Sequence, residues 1–168
     1  KMLVVINGTT DRTENVVRAF QSGNSCVEFI NLKKGGKGFA VVEGLKIALS
    51  ENFNLVGFVD ADLATRPEEY WNLIRGVGDA GGAIADRYIE GSKVYPPYSF
   101  RRRVVSRVYN NLVRLLFALD YKDTQCGAKI FTKKTIEMIL PEMSLTNWAF
   151  DVNLLHITKK KGIKINSV

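Results

Sequence analysis

Apolar positions in this chain fall into short runs that alternate with helical spacings. Met2 to Ile6, Val27 to Leu32, Leu55 to Val59, Ala128 to Phe131 and Ile163 to Val168 read as strands, and the small residues from Gly82 to Asp86 as another. Between them, Val41, Leu45, Ala48 and Leu49 mark one face of a helix, and Tyr70, Leu73 and Ile74 mark a second. Boundary signals agree. Asp11 and Glu14 stand at capping-box spacing with Gly23 beyond, and Thr65, Pro67 and Glu68 form a similar start. Lys133 to Leu140 is a short helix closed by Pro141, and Asn147 is an N-cap for a buried helix from Trp148 to Lys161 that stops at Gly162. Strands alternating with helices predict an α/β fold, a Rossmann-like, mostly parallel sheet flanked by helices, formed by residues 1–168 as one domain.

The longest helical pattern, Phe100 to Leu119, is strongly amphipathic. At about 100° per residue, Val104, Val105, Val108, Leu112, Leu115, Leu116 and Leu119 fall in one arc, opposite Arg103, Arg107, Asn110 and Arg114. Two readings follow: a surface helix with a solvated basic face, or a membrane-facing helix.

Composition narrows the partners. The 168 residues carry a net charge of +7 and 46% apolar content. Basic residues gather at Lys33 to Lys37, Arg101 to Arg114 and Lys159 to Lys164 without aromatics interleaved in the manner of a base-stacking platform, so phosphate-bearing small molecules or an anionic membrane surface are favoured over nucleic acid. No apolar run approaches the roughly 18–20 residues of a membrane span, and no signal-peptide layout opens the chain. A soluble or peripheral protein of the reducing cytoplasm is expected. With Cys26 and Cys126 far apart in sequence and His156 the sole histidine, a thiolate or imidazole zinc site is not expected, and any metal would be held by oxygen.

Candidate chemistry centres on Asp60 and Asp62, which follow an apolar strand at a spacing of two. Strand alternation would put both carboxylates on one side, at the sheet end where ligands bind in α/β folds. They are either turn and capping residues or a site for a hard cation bridging to phosphate. Lys33 to Gly38, ahead of a helix, offers ammonium groups and free amides to an anion, without the spacing of a triphosphate loop. Asp123 to Gly127 has a polar group at each position before the glycine, a composition suited to ligand contact. Tyr88 to Ser99 has the composition of a loop able to close over a ligand. Asp151, a carboxylate among Trp148, Phe150 and Leu154, is either capping or held to accept a proton or cation. Cys126 lacks an evident base and is better read as a small core residue, and His156 as structural.

Gly8 to Thr13, Gly36 to Gly38, Asp60 to Asp62, Asp86 to Tyr88, Asp123 to Phe131 and Asn147 to Asp151 stand in the order found in family-2 glycosyltransferases of the GT-A fold, and the chain resembles their dolichyl-phosphate glucose and mannose synthase branch. The Asp-Thr-Gln-Cys-Gly and Trp-Ala-Phe-Asp blocks lean toward the glucosyl side. The resemblance implies inverting transfer of a hexose from UDP-glucose or GDP-mannose to a polyprenyl or dolichyl phosphate at the cytoplasmic face of a membrane. Asp62 would ligate Mg²⁺ or Mn²⁺, and Asp60 would face the ribose or sugar. Asn7, Gly8, Lys37 and Gln125 would contact the donor. Arg87 and the basic stripe of the long helix would receive the acceptor phosphate, with Asp151 near donor sugar or acceptor. Ile6 and Asn7 stand where the family has two Asp residues, and the family's first strand has no counterpart. Two rival readings are a catalytically impaired nucleotide-sugar-binding domain and a basic nucleic-acid module.

Overall fold

The computed structural model describes residues 1–92, 99–143 and 149–168. Along the chain run β1 (Met2–Asn7), α1 (Thr13–Ser22), β2 (Val27–Leu32), α2 (Lys37–Ser50), β3 (Leu55–Val59), α3 (Pro67–Arg75), β4 (Gly82–Ile84), α4 (Phe100–Phe117), β5 (Ala128–Thr132), α5 (Lys133–Ile139), α6 (Phe150–Lys160) and β6 (Ile165–Ser167). The α/β alternation read from the apolar pattern is therefore present. Pairing is mixed: β1 and β2 form a parallel pair, and a four-stranded sheet has the order β3-β5-β4-β6. In that sheet β4 and β6 are parallel, while β5 runs antiparallel to both neighbours. Apolar periodicity marks where strands lie and says nothing about their direction.

Alternation along β5 sorts the core. Phe131 joins Leu45, Val56, Ile136 and Leu154, under α2, α5 and α6, whereas Ala128 and Ile130 join Leu73 and Val77 on the α3 side. Both faces of β5 are thus buried, as befits a central strand.

Several boundaries differ from expectation for local reasons. Asp11 Oδ1 accepts from the Thr13 amide at 2.8 Å, but Glu14 turns away to Arg18 and Asn31 and leaves the capping box open. Helix α3 starts at Pro67 behind Arg66 with no side-chain cap, so Thr65 does not close a box. Pro141 lies in a 3-10 turn, Leu140–Glu142, that extends α5 by tighter winding. Asn147, Trp148 and half of the expected 88–99 loop (residues 93–98) lie outside the described residues.

The largest departure is α4. Asn110 and Val113 face inward and are buried, while Val105, Val108, Leu112, Leu115 and Leu116 are exposed, Leu115 by 80%. Arg103 and Arg107 are exposed, as expected of a solvated basic face, and most of the apolar arc is exposed with them. Two bonds to a neighbouring segment fix the roll: Asn110 Oδ1 accepts from both the amide and hydroxyl of Thr124 at 3.0 Å, while its Nδ2 donates within the helix to the Ser106 carbonyl.

Candidate active site

The ends of β1 and β3 carry the first cluster. Gly8 follows β1 with a left-handed φ of 58°, and a Cβ there would lie 2.6 Å from the Gly35 Cα, so the Lys33–Gly38 loop packs backbone to backbone against it. Asn7 Oδ1 accepts from the Gly36 amide at 2.9 Å and ties the loop to the end of β1. This tie places Lys37, the first residue of α2, so that its Nζ meets Asp60 Oδ2 at 2.7 Å. The Asp60 amide in turn donates to the Gly127 carbonyl, and the carboxylate lies where a Gly127 Cβ would be, 1.9 Å from Oδ2. Asn7, Gly8, Lys37 and Asp60, four of the expected donor contacts, are thus brought together. The Lys37 ammonium also lies 5.7 Å from the Phe150 ring.

Asp62 does not share the surroundings of Asp60. Strand β3 ends at Val59 and residues 61–62 turn, so period-2 alternation stops before it can align the two carboxylates. Asp62 is exposed, its Oδ1 accepts from the Ala64 amide at 3.0 Å, and Leu63 adopts a φ of 60° in the same turn. Among the described residues no group of three His, Cys, Asp or Glu side chains is placed to hold a metal. Mg²⁺ is commonly held by one or two carboxylates plus substrate phosphates, and an exposed carboxylate two residues from Asp60 fits that mode.

A second cluster surrounds Arg87. Its Nε and Nη2 grip the two oxygens of fully buried Asp123 at 2.5 and 2.9 Å. This bidentate pair fixes the guanidinium expected to receive the acceptor phosphate. Asp123 also accepts from the Arg87 and Gln125 amides, and the Gln125 side chain donates to the Tyr109 hydroxyl on α4. Beside it, the Tyr88 hydroxyl meets Ser106 Oγ at 2.5 Å. Asp86 accepts from the Tyr88 amide, yet burial, with a smaller contribution from the Asp123 charge, holds its carboxyl above the usual range. The 123–127 segment bridges the clusters, with Asp123 on Arg87 and Gly127 on Asp60.

Asp151 is placed differently from a reactive carboxylate. It is 5% exposed, and its Oδ1 accepts from Lys129 Nζ at 2.6 Å. Lys129, fully buried on β5, also donates to the Cys126 carbonyl at 2.6 Å. The pair thereby holds the segment that abuts Asp60. Sequence reading passed over Lys129, although a lone cation in an apolar strand and a lone anion in an apolar helix were a visible signal. Cys126 is buried and its thiol is pushed up, chiefly by desolvation, as suits a core residue. His156 packs edge-on against Phe117.

Residues 1–140 match the family model for glycosyl transferase family 2. The chain belongs to that family. Its α/β architecture is consistent with the family's GT-A-like fold. It is 29% identical to the dolichyl-phosphate beta-glucosyltransferase of Dictyostelium discoideum, over all of this chain and 53% of that protein. Identity to the enzymes of the same description is 30% for Drosophila melanogaster and 29% for Homo sapiens, each over all of this chain and 54% of the relative. The family chain therefore spans about half the length of the relatives it matches.

Proposed function

We propose that this chain carries the donor-binding and transfer site of a dolichyl-phosphate glucosyltransferase, moving glucose from a nucleotide sugar to a polyprenyl phosphate with inversion. The observation supporting this most is the convergence of Asn7, Gly8, Lys37 and Asp60 at the ends of β1 and β3, beside Gly127. The Lys37 ammonium and the amides at the start of α2 suit a diphosphate. Asp60 would face the ribose or sugar, and Asp62 would hold Mg²⁺ or Mn²⁺ jointly with that diphosphate. Such a cation, when bound, neutralises charge on the departing nucleotide.

The acceptor phosphate would approach on the side of Arg87 and α4, opposite the donor across the 123–127 segment. A phosphate is already ionised at neutral pH, so the nucleophile needs positioning more than deprotonation. This relieves Asp151 of a base's role and leaves it as the counterion of Lys129. No helix among the described residues is long and apolar enough to cross a membrane. We place the exposed apolar arc of α4 against a membrane, at its cytoplasmic face.

The test is hexose transfer to dolichyl phosphate in detergent, from UDP-glucose or GDP-mannose, with and without Mn²⁺. Asp62→Ala is expected to abolish metal-dependent donor binding and leave the unfolding transition in place. Unchanged donor affinity in that variant refutes its role. Binding without transfer on any polyprenyl phosphate would favour an impaired nucleotide-sugar-binding domain, a reading motivated by Ile6, which is buried, and Asn7, whose carbonyl is engaged by Gly36.

A further inference from the structure

Stability alone does not account for the Lys129–Asp151 pair. Lys129 shares its face of β5 with Phe131, and Asp151 shares α6 with Leu154 and Leu155, all of them buried. The attraction between two such charges commonly does not exceed the cost of desolvating them, and an apolar pair of similar volume would pack as well. What an apolar pair could not do is donate hydrogen bonds. Lys129 Nζ donates to Asp151 Oδ1 and to the Cys126 carbonyl, each at 2.6 Å, and lies 5.8 Å from the Phe58 ring. The pairing of β3 with β5 ends at Val59 opposite Ala128, and one further bond, from the Asp60 amide to the Gly127 carbonyl at 2.9 Å, follows it. Cys126 lies past that rung, and Lys129 reaches back three residues to give its carbonyl a donor.

The carbonyl so held belongs to the backbone on which Asp60 rests. Gly127 receives the Asp60 amide and also leaves room for its carboxylate, which stands 1.9 Å from where a Cβ would be. Asp60 Oδ2 then meets Lys37 Nζ at 2.7 Å. Phe150, next to Asp151, lies 5.7 Å from both the Lys37 ammonium and the Phe58 ring, so the start of α6 reaches the same cluster from a second side. At 0% and 5% exposure, Lys129 and Asp151 themselves are closed to a ligand.

We infer that Lys129 and Asp151 are positioning residues for the donor site: Asp151 holds the ammonium, the ammonium holds the Cys126 carbonyl, and the segment so fixed seats Asp60 where it meets Lys37. The inference rests on the reading of Asp60 and Lys37 as donor contacts. It explains the cation in an apolar strand by placement of a neighbouring backbone. Loss of the ammonium reaches the donor through Gly127 and Asp60, with no contact between Lys129 and the ligand.

The test uses the 168-residue chain carrying Lys129→Met with Asp151→Leu, which removes the donor to Cys126 and leaves no stranded carboxylate. Hydrogen exchange by nuclear magnetic resonance compares the Asp60 amide with that of Thr132, which donates to the Gly81 carbonyl at 2.9 Å at the far end of β5. Protection of Asp60 relative to Thr132 is expected to fall on the order of tenfold or more, the weight of one hydrogen bond to a charged group. A merely structural pair would lower both amides together or neither. Calorimetry with UDP-glucose and with GDP-mannose, each with Mn²⁺, is expected to show donor affinity reduced by a similar factor. Lys129→Arg keeps a charge and donors for both oxygens, and is expected to retain donor affinity and Asp60 protection even as overpacking lowers its melting midpoint. Unchanged relative protection of Asp60 in the double variant, or donor affinity equal to that of the wild type, would overturn the inference. So would a loss of affinity in Lys129→Arg as large as in the double variant. A wild type that binds neither sugar nucleotide, with the Asp60 amide still loosened in the double variant, would overturn the donor reading and leave the positioning of Asp60 standing.

Discussion

Removing the Lys129 charge should be the most damaging conservative change in this fold. Lys129 and Asp151 are 0% and 5% exposed, and their Nζ–Oδ1 distance is 2.6 Å. On β5, Lys129 stands opposite Phe58 of β3 and Ile84 of β4, so water has no ready access to replace the lost ammonium. Lys129→Met keeps length and much of the volume while stranding the Asp151 carboxylate and releasing the Cys126 carbonyl. Breaking a buried pair from one side costs about 3–5 kcal/mol. At roughly 2–4 °C per kcal/mol for a domain of this size, the midpoint should fall by about 6–20 °C. The double variant Lys129→Met with Asp151→Leu removes both charges and should recover most of that loss, because an apolar replacement of a buried pair is often neutral or stabilising. Urea unfolding of wild type, both single variants and the double variant completes the cycle. A single-variant loss below about 1 kcal/mol, or a double variant as unstable as the singles, would show that this pair is not the coupled, desolvated unit described.

Two further perturbations probe the site. Gly127→Ala introduces a Cβ at 1.9 Å from Asp60 Oδ2; it should displace that carboxylate and weaken nucleotide-sugar binding in calorimetry, with an overpacking cost of about 1–3 kcal/mol, and unaltered affinity would remove Asp60 from the donor site. Asp86→Asn should stabilise the protein at neutral pH, because the folded state raises the Asp86 carboxyl above its unfolded range by burial. With a raised carboxyl the native state holds the extra proton, so wild-type stability from this group falls as pH rises from the ordinary carboxylate range through the raised value. The gain in Asp86→Asn should therefore shrink on acidification. A gain constant with pH in thermal melts would contradict that cause.

The order of motifs was readable because each rests on local chemistry. Glycines bracket turns, strands β2 and β3 have the expected limits, and the blocks 36–38, 60–62, 86–88 and 123–131 keep a family order that single-residue changes do not erase. The cluster proposed for the donor was named through the family resemblance, and its convergence has a local reason: Asn7, Gly8 and Asp60 sit at strand ends, and Lys37 opens a helix, where side chains emerge beyond the sheet. Asp62 was misplaced because alternation was extended past Val59, where the backbone turns. Arg87 and Asp151 were identified as charged residues in notable positions, but their partners, Asp123 and Lys129, lie 36 and 22 residues away.

By itself, then, the sequence determined element types, the α/β class and which charged residues cluster along the chain, since these follow from periodicity and local spacing, and the resemblance of its ordered motif blocks pointed to the family. Tertiary structure alone decided strand direction in the mixed sheet, the partner of each buried charge and which face of α4 meets solvent. The last case gives the reason plainly. An amphipathic pattern specifies two faces but not their assignment, and the two hydrogen bonds from Thr124 to Asn110 hold that residue inward and leave the apolar arc outward.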